Sequence, residues 1–97
     1  MKTKVFDPAD YLDDDAAYAG YLSDALATGD AAFIADALGV VARARGMADI
    51  ARRTGLSRES LYKSLSATGN PELATILKVA AAIGLQFSAQ PVPPPQA

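Results

Sequence analysis

Apolar side chains recur at Tyr18, Tyr21, Leu22, Ala25 and Leu26, then at Phe33, Ile34, Ala37, Leu38 and Val41, and again at Leu73, Ile76, Leu77, Ala80 and Ile83. Within each set every residue has another three or four positions away, the spacing that lines one face of an α-helix and buries it. Three amphipathic helices are therefore predicted, and the residues between the sets supply their ends. Asp13, Asp14 and Asp15 stand before the first set, where a carboxylate caps a helix and complements its positive end, and Gly29 follows the set. Asp30 is placed to cap the second helix. Gly39 inside it costs about 1 kcal/mol against alanine, a loss that a closely packed neighbour can offset. Asn70 is expected to cap the third, with Pro71 at its first position, where no amide donor is missed, and Gly84 at its end.

Between the second and third sets lies GMADIARRTGLSRESLYKSLSATG, Gly46 to Gly69, in which the pattern changes. A short helix carrying Ile50 and Ala51 should run to Thr54, Gly55 should reverse the chain through positive φ, and Ser57 should cap another helix. Small Ala51 where two helices cross, Gly55 four residues on, and inward Leu56, Leu61 and Leu65 together form a helix-turn-helix signature. Gly69 is expected to close the second of these helices in the left-handed conformation.

The two ends of the chain read differently. Val5 and Phe6 precede Asp7-Pro8, which favours a turn, so an extended arm leading into a helical turn with Tyr11 and Leu12 is expected. Leu85, Gln86, Phe87 and Ser88 alternate apolar and polar, as in a short strand paired with the arm around Val5 or with a second copy. The tail QPVPPPQA lacks the amide donors for a sheet or helix and should lie extended in polyproline geometry or be disordered. The expected organisation is an arm over 1–12, a helix-turn-helix domain over 13–88 and a disordered proline-rich tail over 89–97. The fold class is all-α: a compact bundle of about five helices.

Composition narrows the chemistry. Ninety-seven residues, 51% hydrophobic, can bury one core without metal or disulfide staples. There is no cysteine and no histidine, which excludes thiol chemistry, imidazole acid-base catalysis and Cys/His zinc sites. No apolar run follows the N-terminal lysines and none reaches membrane-spanning length, so a cytoplasmic protein with no membrane partner is expected. Asp13, Asp14 and Asp15 do not suggest a metal site, because consecutive helical residues point in different directions. No cofactor is expected. An enzyme is not expected either, since the carboxylates are scattered and no nucleophile has a base beside it.

The net charge of −2 conceals a division: two lysines against eight aspartates over 1–42, but six cations against Asp49 and Glu59 over 43–63. Such asymmetry suggests two surfaces, one for a polyanion and one for a basic partner, although acidic residues also simply solubilise a surface. With Leu61 and Leu65 inward, the helix after Ser57 offers Arg58, Glu59, Tyr62, Lys63 and Ser66 outward, where a recognition helix enters a major groove. Ser57, Arg58, Tyr62 and Lys63 are the candidates for base contact. Arg58 leads, because its planar fork can bond guanine O6 and N7 together; Glu59 and Lys63 also have a modest reading as an i, i+4 ion pair. Arg43, Arg45, Arg52 and Arg53 are the candidates for phosphate contact, with helix-dipole complementation as the structural reading for Arg43 and Arg45. So few cations bind weakly alone, which predicts a homodimer on a palindromic operator of double-stranded DNA.

The segment DIARRTGLSRESLYKSLSATGNPELATILKVAAAIGL, with FDPADYL and YLSDALATGD before it, closely resembles the addiction-module antidote proteins, a HigA-like branch of the lambda-repressor-type helix-turn-helix superfamily. The resemblance implies an antitoxin of a type II toxin-antitoxin module that neutralises a small RelE/ParE-like toxin and represses its own operon. It places DNA contact on Ser57, Arg58, Tyr62 and Lys63. Toxins of this class are generally basic, so the acidic segment from Asp7 to Asp36 is the candidate toxin surface, with Phe6, Tyr11, Asp14, Tyr18 and Tyr21 as candidate contacts. Many antitoxins carry a long disordered toxin-wrapping segment; this chain reads as folded nearly throughout, which implies an interface of folded surfaces. A phage or plasmid regulator without a toxin partner, and a protein-interaction module that does not bind DNA, remain as alternative readings, because fold alone does not fix function.

Overall fold

The computed structural model describes residues 6–94. A short 3-10 turn, Pro8–Tyr11, is followed by five α-helices: α1 Asp15–Ala27, α2 Ala31–Arg45, α3 Met47–Thr54, α4 Arg58–Ser64 and α5 Leu73–Ile83. Helix α2 is the centre of the arrangement and packs against the 3-10 turn and all four other helices. Its sequence accounts for that place, because Ala35, Ala37, Leu38, Gly39, Val40, Val41 and Ala42 are buried on every side of it. A helix that is apolar all round is stable only when surrounded. Around it, Tyr18, Leu22 and Ala25 of α1, Met47 and Ile50 of α3, Leu61 of α4, Leu65, and Val79 and Ile83 of α5 complete one core. No helix among the described residues is long and apolar enough to cross a membrane.

Most helix ends follow local chemistry. The carboxylate of Asp14 accepts from the amide of Ala17 at 2.8 Å, and that of Asp30 from the amides of Ala32 and Phe33 at 3.0 and 3.2 Å. Gly39 has a tertiary reason to be glycine: a Cβ there would run into the Leu65 carbonyl. The chain leaving α4 thus lies directly on the backbone of α2, an approach that no side chain would allow.

The third amphipathic helix starts later than its sequence suggests. Glu72, not Asn70, occupies the position before α5, with no side-chain hydrogen bond, and Pro71 lies outside the helix. Gly69 is not in the left-handed conformation. Helix α4 ends at Ser64, and a Cβ on Gly69 would collide with the Ser64 carbonyl, so glycine there permits the loop to fold back over the end of α4. Four large stripe residues are exposed instead of buried: Leu26 near the end of α1, Phe33 at the start of α2, and Leu73 and Leu77 on α5. Helical spacing places residues on one face but does not say how much of that face a neighbour covers. Leu85 and Phe87 do alternate inward with outward Gln86 and Ser88, yet no strand forms among the described residues. Phe87 packs on the core, and Val5, the proposed pairing partner, lies outside the described residues. The stretch 85–94 carries no regular secondary structure, and the last three residues of the proline-rich tail also lie outside.

Candidate nucleic-acid interface

Helices α3 and α4 are separated by Gly55, Leu56 and Ser57. Gly55 has φ +75°, the left-handed conformation that lets the chain turn sharply, and its amide donates to the Ala51 carbonyl. The Thr54 hydroxyl secures the same turn, donating to the Ile50 carbonyl at 2.8 Å and accepting from the Leu56 amide at 3.2 Å. Ser57 then caps α4 through its Oγ, which accepts from the Ser60 amide at 3.0 Å. Ile50 and Leu61 are fully buried, one on each side of the turn, so hydrophobic burial and these four local hydrogen bonds jointly fix how α4 leaves α3.

Leu61 and Leu65 hold α4 against the core and leave Arg58, Glu59, Tyr62 and Lys63 on the outside. All four candidate base-contact residues, Ser57 included, are exposed. Arg58 forms no ion pair among the described residues, and neither do Glu59 and Lys63, so their anticipated i, i+4 pair is not made. The guanidinium of Arg58 is accordingly available at the start of the helix. Ser66 is half-buried and turned back on its own chain, donating to the Lys63 carbonyl at 3.0 Å.

The four candidate phosphate-contact arginines divide into two groups. Arg43 donates through Nη2 to the Asp7 carboxylate at 3.0 Å, across 36 positions of sequence, and so ties α2 to the N-terminal turn. Arg45, Arg52 and Arg53 all converge on Asp49. Arg53 Nε lies 3.0 Å from Asp49 Oδ2 and Arg45 Nη1 3.7 Å from the same oxygen, while Arg52 takes Oδ1. One carboxylate thus serves three cations, leaving a surplus of positive charge on a surface where Arg52 and Arg53 are exposed. Desolvation pushes the Asp49 carboxyl upward, but hydrogen bonds from Arg53 and Arg52, with their charges, outweigh it and hold the group below the usual aspartate range. Asp49 is the residue that the reading of candidate contacts passes over. Its spacing to the arginines, four before and three and four after, was the available signal.

The acidic face is differently built. Phe6 and Tyr11 stack with ring centroids 5.2 Å apart, although they are 68% and 66% exposed. Asp10, Asp13, Asp14 and Asp15 lie close by in sequence and are exposed. Of the remaining candidate toxin contacts, Tyr21 is half-buried and packs against the core, whereas Tyr18 is inside it. Tyr18 is therefore not available as a surface anchor: its position on the α1 stripe buries it in the core.

Comparison with known proteins bears on most of the chain. The profile of a family described as "Probable addiction module antidote protein" matches residues 2–91, a span that includes all five helices. A protein of Haemophilus influenzae, described only as an uncharacterized protein, is 48% identical over 87 residues, which cover 90% of this chain and 90% of that relative. No solved structure matches. On the extent of the family match, from residue 2 through the segment after α5, the chain belongs to the probable addiction module antidote proteins.

Proposed function

We infer that this chain is the antitoxin of a type II toxin-antitoxin module, acting without a catalytic step, and that it also represses its own operon. Membership of the antidote family supports a toxin partner. The DNA-binding half of the reading rests on one observation above all: α4 offers Arg58 to solvent without an internal carboxylate partner among the described residues, beside a turn of helix-turn-helix form. In this reading α3, the turn and α4 are the helix-turn-helix of the HigA-like, lambda-repressor-type branch. Helix α4 enters the major groove, Arg58 and Tyr62 read base edges, and Ser57 and Lys63 lie alongside them. Arg52 and Arg53 lie toward the phosphates, with Arg45 behind them. Two copies related by a dyad bind the two halves of a palindromic operator.

Charge complementarity supports the toxin surface. Exposed, stacked Phe6 and Tyr11 beside a run of aspartates form an amphipathic patch of the kind that suits a basic RelE/ParE-like protein. Both halves are tested together by co-expressing the chain with the product of the adjacent gene and by measuring binding to its own promoter at rising salt. Rescue of growth, a stable complex that weakens in Phe6→Ala/Tyr11→Ala, and promoter binding that declines with salt are the expected results. Growth rescue without promoter binding at low salt would remove the repressor role, and promoter binding beside a non-toxic neighbour would favour a regulator without a toxin partner.

A further inference from the structure

Glu59 is the second residue of α4 and stands one turn before Lys63, with both side chains exposed. At about 100° per residue the two lie on the side of the helix that points away from Leu61 and Leu65, the leucines that hold it to the core. A glutamate four residues before a lysine ordinarily closes an ion pair along the helix. Here neither side chain enters one, with the other or with any group among the described residues. The arginines of α2 and α3 are committed to Asp7 and Asp49 instead.

Nor does the end of the helix require this carboxylate. Ser57 supplies the cap, its Oγ accepting from the Ser60 amide at 3.0 Å, and the acidic residue of a reciprocal cap would stand at position 60, which is a serine. An anionic side chain on the face offered to DNA is repelled by every phosphate it approaches, so it suits the groove only where a base donates a hydrogen bond to it. In the major groove the donors are the amino groups of cytosine and adenine. Adenine sets its N7 acceptor beside that amino group, whereas guanine and thymine present acceptors to the same side. A carboxylate, which only accepts, is therefore matched by cytosine, penalised in part by adenine and opposed by guanine and thymine.

We propose that Glu59 is a specificity-determining residue of α4, accepting a hydrogen bond from a cytosine N4 amino group in the same base pair as the guanine read by Arg58 or in the adjoining one. This role rests on the DNA-binding reading given under the proposed function, to which it adds one base. Arg58 and Glu59 then divide recognition by charge: the guanidinium donates to guanine, and the carboxylate accepts from cytosine. The same carboxylate weakens binding to every duplex that lacks the cytosine, so selectivity comes from rejection as well as attraction.

The test is selection by the purified full chain, at low salt, from duplexes randomised over about 20 base pairs, which leaves room for two half-sites a helical turn apart. Wild type, Glu59→Gln and Glu59→Ala are compared by sequencing what each retains. The wild type is expected to retain one cytosine per half-site, favoured by about tenfold over the other bases. Glu59→Gln should move the preference at that position to adenine, because an amide offers both the donor and the acceptor that adenine N7 and N6 match. Glu59→Ala should abolish the preference there and keep the guanine, and both variants should bind mixed-sequence duplex several-fold more tightly for want of the negative charge. A wild type that binds duplex but enriches no cytosine, or variants that enrich the wild-type sequences, would overturn the proposal and leave DNA binding standing. So would variants that lose thermal stability and weaken on all sequences alike, the result expected of a carboxylate that only complements the helix dipole. A wild type that binds no duplex even at low salt would remove the repressor reading and this role together.

Discussion

Arg43 Nη2 lies 3.0 Å from Asp7 Oδ1, joining the last turn of α2 to the residue that caps the 3-10 turn. The same carboxylate oxygen accepts from the Ala9 amide at 3.1 Å, so one side chain both starts the turn and anchors it to the central helix. The hydrogen bond from Arg43, followed by that from Ala9, holds the Asp7 carboxyl below its ordinary value of 3.8, against a smaller opposing effect of desolvation. Because the folded-state value is lowered, the stabilisation is fully present above the unfolded value and is lost as pH falls through the folded one. Amide resonances of Ala9 and the Arg43 side-chain signals should keep their neutral-pH positions down to about the ordinary aspartate value and move only below it. Asp7→Asn should shift them at every pH. Movement of those signals well above the ordinary value would show that the ion pair does not form.

Asp49 tempers the arginine cluster. Replacing it with Asn leaves Arg45, Arg52 and Arg53 without their shared anion and adds one positive charge beside the proposed DNA-binding surface. Asp49→Asn is expected to tighten binding to non-operator duplex and to steepen the logarithmic salt dependence by about 0.9, the contribution of one further phosphate neutralised. A filter-binding series in salt measures both. Unchanged affinity and slope would place the three arginines away from the phosphates.

Arg58→Ala removes an exposed side chain that enters no ion pair among the described residues. Its thermal unfolding should match the wild type to within about 0.5 kcal/mol, while operator binding weakens by about 1–3 kcal/mol and discrimination at one base position is relaxed. Leu61→Ala should show the opposite division. That side chain is fully buried, so stability falls by about 2–5 kcal/mol, and DNA binding is lost only as the fold is lost.

Gly20 and Gly39 both interrupt helices, yet alanine should act on them with opposite sign. At Gly20, exposed on α1, a Cβ would meet nothing within 4 Å. Helix propensity alone then decides, and Gly20→Ala should stabilise by about 0.5–1 kcal/mol. At Gly39 the added carbon would overlap the Leu65 carbonyl, so α2 and the end of α4 must separate, and Gly39→Ala should destabilise by about 1–3 kcal/mol. Thermal denaturation of the two variants side by side checks both signs.

Features whose causes lie within a few residues were legible along the chain. Asp14 and Asp30 cap their helices because an aspartate side chain reaches the amides two or three positions on. Gly55 and Ser57 bound the turn for equally local reasons, and the spacing of Leu61 and Leu65 fixes which side of α4 faces out. Features that depend on distant neighbours emerged only in the packed molecule. The start of α5 moved to Leu73, and Gly69 serves to admit the Ser64 carbonyl instead of adopting positive φ. Leu26, Phe33, Leu73 and Leu77 share stripes with buried residues, but no other part of the chain covers them among the described residues. The pairing of Arg43 with Asp7 spans 36 positions and has no local signature, whereas the cluster on Asp49 was written in helical spacing. The physical division is one of range: caps, turns and facial periodicity arise from short-range sterics and hydrogen bonding. Burial and ion-pair choice depend on which surfaces the completed fold brings together.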